Sequence, residues 1–468
     1  MKKLIRNGKI ATENDVFEAD ILIDGEKIAE VGKDIRCDDA EVIDASGMYV
    51  LPGAVDVHTH MDLDVGFARA IDDFTTGTEA AACGGTTTIV DHMAFGPAGC
   101  SLWHQVNEYH RLADGNAAVD YGFHGVFQHV REETLDEMRE IALKEGITSF
   151  KVYMTYDYRL QDDEIFNVLR AARDAGIVIT VHCENHGVIQ QLRKEYIEAG
   201  CTEAKYHPLS RPSRCEAEAV NRMIHLAAMA GDAPLYIVHL SSREGLHEVL
   251  KARAEHQKNL GVETCIQYLV LTDSMYDDPD EGLKAIMSPP LRKDADREEL
   301  WQALSDGLID TVATDHCPFH YREGKAEKQY GRNDFTKCPN GAPGVQERLI
   351  LLFSEGFMKG RLTLPQVVKY ASSNPCRMFG LYPQKGSLEP GTDADIVLID
   401  PEKYTLIDRD YIRGASDYSC YEGMKLRGKI GKVFLRGKEI ADGGEFLGAP
   451  GDGKYLKRGK SVLAGSDQ

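Results

Sequence analysis

The sequence predicts an α/β protein: a TIM-like (β/α)8 barrel with a small composite β-sandwich domain built from both chain ends. Three observations lead there. Short apolar runs alternate with helical segments through the middle of a 468-residue chain. Three of those helical segments stop at a glycine that leads straight into the next apolar run. The alternating, turn-rich texture of the first fifty residues returns near the C-terminus.

The elements follow in order. "KLIRNGKIAT", "ADILIDGEKIAEVG" and "AEVIDASGMYVLPG" read as short antiparallel strands separated by Gly and Asp turns. "ADIVLIDPEKYTLI" and "GKIGKVFLRGKEIADGGEF" repeat the pattern late in the chain. Neither set is large enough for a sandwich alone, so residues 1–52 and 380–468 are expected to combine, leaving 53–379 as the barrel. Its candidate strands are "GAVDVH" (53–58), "GTTTIVD" (85–91), "VDYGFHGV" (119–126), "SFKVYM" (149–154), "IVITVHC" (177–183), "PLYIVHL" (234–240), "VETCIQYL" (262–269) and "DTVATD" (310–315). "EIALKEG", "RAARDAG" and "AAMAG" predict helices ending at Gly146, Gly176 and Gly231. A doubly wound open sheet is the alternative, but no GxGxxG opens the first helix, and Gly84-Gly85 precedes a strand.

Composition narrows the partners. A formal charge of −21, uninterrupted by any run of lysine or arginine, argues against nucleic acid and anionic membranes. The N-terminus lacks the apolar run of a signal peptide, and no spanning segment follows. The eleven cysteines are scattered, odd in number and without a CxxC pair. They read as reduced residues of a cytoplasmic protein.

In a barrel, chemistry sits at the C-terminal ends of the strands. Those ends carry His58, His60, Lys151, His182, His239 and Asp315. A strand has period two, so the His-x-His of "DVHTH" sends both imidazoles to one side, and neutral imidazole is a common zinc ligand. Alone the motif is weak, since a buried histidine more often satisfies a backbone carbonyl. Two further strands ending in "VH" and one in "TD" strengthen it. Lys151 sits in an apolar strand run, where lysine is rare unless paired. Alone, "TSFKVYMTY" suits an edge strand or a snorkelling amine. Among four histidines and an aspartate, a neutral amine that adds CO2 becomes a carbamate able to bridge two cations. The expected cofactors are two divalent metal ions, zinc, with CO2 for N6-carboxylation of Lys151.

"DVHTH", "FKVYMTY", "TVHCEN", "IVHLSS" and "ATDHCPF", in this order, resemble the cyclic amidohydrolases: hydantoinases, dihydropyrimidinases, allantoinases and dihydroorotases. The likeness covers nearly the whole chain. It implies that His58 and His60 bind one metal, that His182 and His239 bind the other, and that carboxylated Lys151 bridges them. Asp315 would bind the first metal and act as general base, and Tyr156 would donate to the developing oxyanion. Ser288 in "MSPPLR" and Asn340 in "CPNGAPG" would hold the substrate's cyclic amide through their backbones. The implied activity is hydrolysis of D-5-substituted, aryl hydantoins to N-carbamoyl amino acids, in a homotetramer.

Dihydroorotases typically carry HxHxR, and here Met61 and Asp62 follow His60, so an acidic substrate is disfavoured. Met61, Leu63, Val65, Phe67, Met93 and Phe95 are candidates for an apolar pocket, against ordinary loop packing as the simpler account. His92 and His124 are expected to be core or supporting residues. In "DHC", His316 and Cys317 face opposite ways and make a poor thiol–imidazole pair. The rival activity is opening of dihydrouracil and dihydrothymine. A non-catalytic interaction protein of the collapsin response mediator type is disfavoured, because every ligand position is filled. The C-terminal stretch 448–468 reads as an arm docking on a neighbour or as a frayed end.

Overall fold

The protein, described from a computed structural model over residues 2–322 and 324–465, forms two sheets. One is an eight-stranded parallel sheet in sequential order: Ala54–Thr59, Thr86–His92, Asp120–Val126, Ser149–Tyr153, Val178–His182, Leu235–Ile237, Leu260–Cys265 and Thr311–Ala313. Its two ends meet. Asp315 N–H donates to His58 O (2.9 Å) and His60 N–H to His316 O (2.9 Å), which closes the barrel at the rim bearing the histidines. Strands such as Thr86–His92 are buried throughout, as expected where helices cover one face and barrel contents the other.

The helices start and stop on local chemistry. Asp162–Ala175 begins where Gln161 N–H donates to the Glu164 carboxylate (2.8 Å) and carries three acidic residues in its first turn. It ends at Gly176, whose φ of 66° is the left-handed conformation that suits glycine. Gly146 closes Glu132–Glu145 in the same way. The third helix, Ser213–Met229, is closed by Ala230, with the left-handed residue, Gly231, one position later.

Three strand expectations are corrected. "VETCIQYL" is a strand only to Cys265, and Ile266–Val270 is a helical turn. A short apolar run buried on every side has no periodicity to separate the two. The strands expected over 234–240 and 310–315 stop at Ile237 and Ala313. His239 (φ 40°) and Asp315 (φ 56°) then turn into left-handed backbone, which cannot continue a strand.

The second sheet has nine strands drawn from both chain ends. Tyr49–Pro52 joins them by pairing antiparallel with Ile396–Leu406. The pairing is not all antiparallel as expected, since Lys2–Ala11 pairs parallel with both Glu41–Asp44 and Tyr49–Pro52. Ile5, Ile21, Ile23, Val50, Ile396 and Phe434 from the two ends share one core.

The described part of the C-terminal segment docks on its own barrel, so it is not a frayed end. Lys454 O and Leu456 N–H bond Tyr121 across the base of the barrel, and Arg458 N–H bonds Gly146 O. The buried Arg458 guanidinium donates to Phe123 O (2.5 Å) and Ser149 Oγ (2.8 Å). Residues 466–468 lie outside the described residues.

One buried charge cluster ties barrel, sheet and tail together. Lys385 Nζ contacts Asp120 (2.5 Å), Asp395 (2.7 Å) and Asp393 (3.0 Å), while Asp120 also takes Arg436 and Lys454 N–H. Burial opposes the Lys385 charge, but the three carboxylates outweigh it and raise its pKa. Lys385→Met strands those carboxylates away from water and is expected to cost about 3–5 kcal/mol. A urea unfolding midpoint measures this, and an unchanged midpoint would mean that the cluster is dispensable.

Candidate active site and metal centre

The rim of the barrel gathers residues from most of its strands. His58 lies in the first strand, and His60 is placed two residues on by period two. Lys151 is the third residue of Ser149–Tyr153, and His182 ends Val178–His182. The left-handed turns at Tyr156 (φ 74°), His239 and Asp315 re-aim their side chains just past strand ends. Non-glycine residues in that conformation cluster at functional sites.

The geometry is tight. His58 Nε2 and His60 Nε2 each lie 3.0 Å from the same oxygen, Asp315 Oδ1. That spacing is near the ~3.3 Å ligand-to-ligand edge of a tetrahedral zinc site. Lys151 Nζ approaches His58 Nε2 at 3.4 Å, and the His182 and His239 rings lie 4.6 Å apart. The Tyr156 ring is 5.2 Å from His182. Lys151 is 1% exposed and makes no ion pair within 4 Å among the described residues. The other buried lysines have partners: Lys284 and Lys385 pair with carboxylates, and Lys328 donates to two backbone carbonyls.

The protonation states follow from the surroundings. Burial pushes Lys151 down to about 8 against the opposing pull of Asp315 and Glu263. Burial likewise brings His60 to about 4, although Asp315 opposes it, so His60 is a neutral donor at pH 7. At His58, burial and Lys151 favour the neutral ring, but Glu263 and Asp315 outweigh them and raise its pKa. Burial raises the Asp315 carboxyl, yet the His58 and His60 contacts win and hold it well below the usual range. A cation held here would need His58 Nε2 free of a proton, so its binding would be coupled to proton release. The buried Nδ1 atoms of His60 and His239 have no hydrogen-bond partner among the described residues. Imidazoles, a carboxylate and a lysine without an ion pair thus fit a divalent-cation centre.

Four supporting residues escaped the sequence reading. Glu263 accepts from His58 Nδ1 (2.6 Å) and from His239 N–H (3.0 Å), fixing one ring and one backbone. An acid in the middle of the apolar run "VETC" was the available signal, by the same logic as Lys151. Glu184, two residues past His182, bonds His182 Nε2 (2.7 Å) and leaves Nδ1 as the free donor atom. Burial opposes the Glu184 charge, but Arg211 and His182 bring its pKa to about 2. Arg211 pairs with Glu184 and lies over the Tyr156 ring. Lys328, fully buried, donates to Ile286 O (2.8 Å) and Pro339 O (3.0 Å), clamping the segments that carry Ser288 and Asn340. Arg211 lies just past the short helix Tyr206–Ser210 and Lys328 in the 3-10 turn Glu327–Arg332, elements too short to show a pattern in the sequence. Glu263→Gln keeps an acceptor for His58 but removes the charge. It is expected to weaken metal retention about 10–100-fold, measured by metal content after dialysis against a chelator.

Ser288 is buried beside the Tyr156 hydroxyl, and Asn340 is half-buried on a segment bonded to Ile286. The apolar-pocket candidates divide. Met61 and Met93 are buried members of the main hydrophobic core, 0% and 1% exposed, and they are not available to a ligand. Val65 and Phe67 are exposed on a small hairpin closed by Val65 N–H to Ala68 O (2.9 Å). Phe95 packs on Tyr158 (4.6 Å) and Tyr153 (5.3 Å). His124 is satisfied on both nitrogens, by Ser149 Oγ and Val57 O. His316 is held by Asp72, and burial raises the Cys317 thiol well above its usual range, so neither makes a nucleophile pair.

Comparison with known proteins agrees with this geometry. The amidohydrolase family profile matches residues 49–440. D-phenylhydantoinase of Escherichia coli is 49% identical over 98% of both chains. The crystal structure of a dihydropyrimidinase from Brevibacillus agri superposes with a TM-score of 0.95 at 42% identity, covering 98% of this chain and 99% of that one. A D-hydantoinase structure gives 0.95 at 41% identity over the full length of both. The chain therefore belongs to the amidohydrolase family, on the branch it shares with hydantoinases and dihydropyrimidinases.

Proposed function

We propose that the protein opens the ring amide of D-5-substituted hydantoins, aryl ones above all, to N-carbamoyl amino acids, using two zinc ions bridged by carboxylated Lys151. The observation that carries this reading is Lys151 itself: buried, without an ion pair, and 3.4 Å from a histidine that shares an oxygen of Asp315. His58, His60 and Asp315 would hold one ion, and His182 and His239 the other. Addition of CO2 to the neutral Lys151 amine, with loss of a proton, would give a carbamate whose negative charge completes the set of residues able to hold both ions. Two bound divalent cations lower the pKa of a water to near neutrality and polarise the amide carbonyl.

The chain's own groups do the rest. Asp315, ionised at neutral pH, accepts a proton from the attacking water and returns it to the ring nitrogen as the C–N bond breaks. Burial raises Tyr156 although Arg211 opposes it, so its hydroxyl stays protonated and can donate to the carbonyl oxygen as charge develops. Backbone groups at Ser288 and Asn340 hold the cyclic amide, steadied by Lys328. The Phe95, Tyr153 and Tyr158 cluster, next to Tyr156, offers aromatic surface to a ring substituent.

Dihydropyrimidine opening is the second reading, favoured by the likeness to the Brevibacillus agri dihydropyrimidinase. We take the assembly to be a homotetramer by resemblance. A cytoplasmic setting suits the eleven free cysteines, and no helix among the described residues is long and apolar enough to cross a membrane. Turnover of D- and L-5-phenylhydantoin and dihydrouracil by zinc-loaded protein prepared with bicarbonate separates the readings. Preferential opening of the D-aryl ring supports the first; preferential dihydrouracil opening replaces it with the second.

A further inference from the structure

His92 ends the second barrel strand, 1% exposed, and neither of its ring nitrogens has a hydrogen-bond partner among the described residues. Its neighbour His124, stacked on it at 4.2 Å, satisfies both nitrogens, so orphaning is not forced on imidazoles at this depth. On its other side His92 meets the His58 ring at 4.4 Å and the His60 ring at 5.2 Å. One nitrogen from each of His58, His60 and His92 falls within 4.8 Å of the other two. Donors on one zinc ion stand ~3.3 Å apart, so small side-chain rotations close the set.

We propose that His92 is the third imidazole of a single-cation state of this site, in which His58, His60, His92 and Asp315 hold one divalent ion while Lys151 is still a free amine. The inference rests on the reading that His58, His60 and Asp315 bind a cation. Without the carbamate that cation has only three protein donors, and His92 supplies the fourth from the same side of the barrel. Its donors come from the C-terminal ends of the first and second strands and from the turn after the last, so the state needs nothing from Lys151, His182 or His239. Addition of CO2 to the Lys151 amine, with loss of one proton, then provides the oxygen that replaces His92 and recruits the second ion. The site would thus load in two steps, the first independent of CO2.

The test is metal stoichiometry. Metal-free protein is given Zn2+ in CO2-free buffer, desalted and assayed for bound zinc, then the same is done with bicarbonate. The expected result is one ion per chain without CO2 and two with it. His92→Phe should retain at least tenfold less zinc without CO2 yet hold two ions with bicarbonate, which also shows that the variant folds. Retention of one ion by His92→Phe in CO2-free buffer would overturn the proposal. X-ray absorption on the unsubstituted one-ion form is a mutation-free check: three imidazoles support the proposal and two contradict it. Failure of the unsubstituted protein to hold two ions even with bicarbonate would instead overturn the binuclear reading beneath it.

Discussion

Lys151→Ala is expected to reduce hydantoin turnover by about 10²–10³-fold, and a small carboxylate such as propionate should restore part of it. The magnitude is that of losing a preorganised electrostatic element from a buried site. The rescue follows from shape. Alanine leaves a cavity where the lysine stem lay, lined by His58 and Tyr153, and a free carboxylate can put two oxygens where the carbamate placed them. A lysine serving only to pack the strand would give a stability loss with no rescue. The amine also sets a pH dependence. Burial pushes Lys151 down to about 8, and only the neutral amine reacts with CO2. At a fixed concentration of dissolved CO2, reactivation of metal-free protein by zinc should therefore speed up between pH 7 and pH 9 and level off above. A rate flat across that range would contradict the assignment.

Asp315→Asn should be the other large effect, lowering kcat by about 10²–10⁴-fold, the range for a lost general base. Asparagine preserves shape but cannot take a proton. The carboxylate is poised for the task because His58 and His60 share its Oδ1 and hold it ionised. If Asp315 acts mainly in the transition state, kcat and kcat/KM fall together. Zinc content measured on the same sample separates proton transfer from metal loss. A variant that keeps both ions and near-normal kcat would remove Asp315 from the chemistry.

Much of this centre was legible because strand periodicity and barrel topology act on local sequence. "DVHTH" and "FKVYM" need only period two to aim His58, His60 and Lys151 inward. His239 and Asp315 could be placed at strand ends, but not their left-handed turns, which come from closure of the barrel against its first strand. Glu263 stands out in the sequence only as an acid inside an apolar run, with nothing beside it to name His58 as its partner. Arg211 and Lys328 were not readable, because their partners lie 27 and 42 residues back in the chain and are set by loop paths. The helical turn at Ile266–Val270 shares its apolar composition with a strand, so only the third dimension separates them. The docked tail rests on backbone bonds to Tyr121 and Gly146, which leave no mark in side-chain pattern.

The proposed chemistry depends on carboxylation of Lys151. The most direct measurement is 13C NMR of zinc-loaded protein equilibrated with 13C-bicarbonate, with Lys151→Ala as the comparison. One protein-bound carbamate resonance per chain is expected, present in the active protein and missing from the variant. An active, two-zinc protein without that resonance would contradict carboxylation of Lys151.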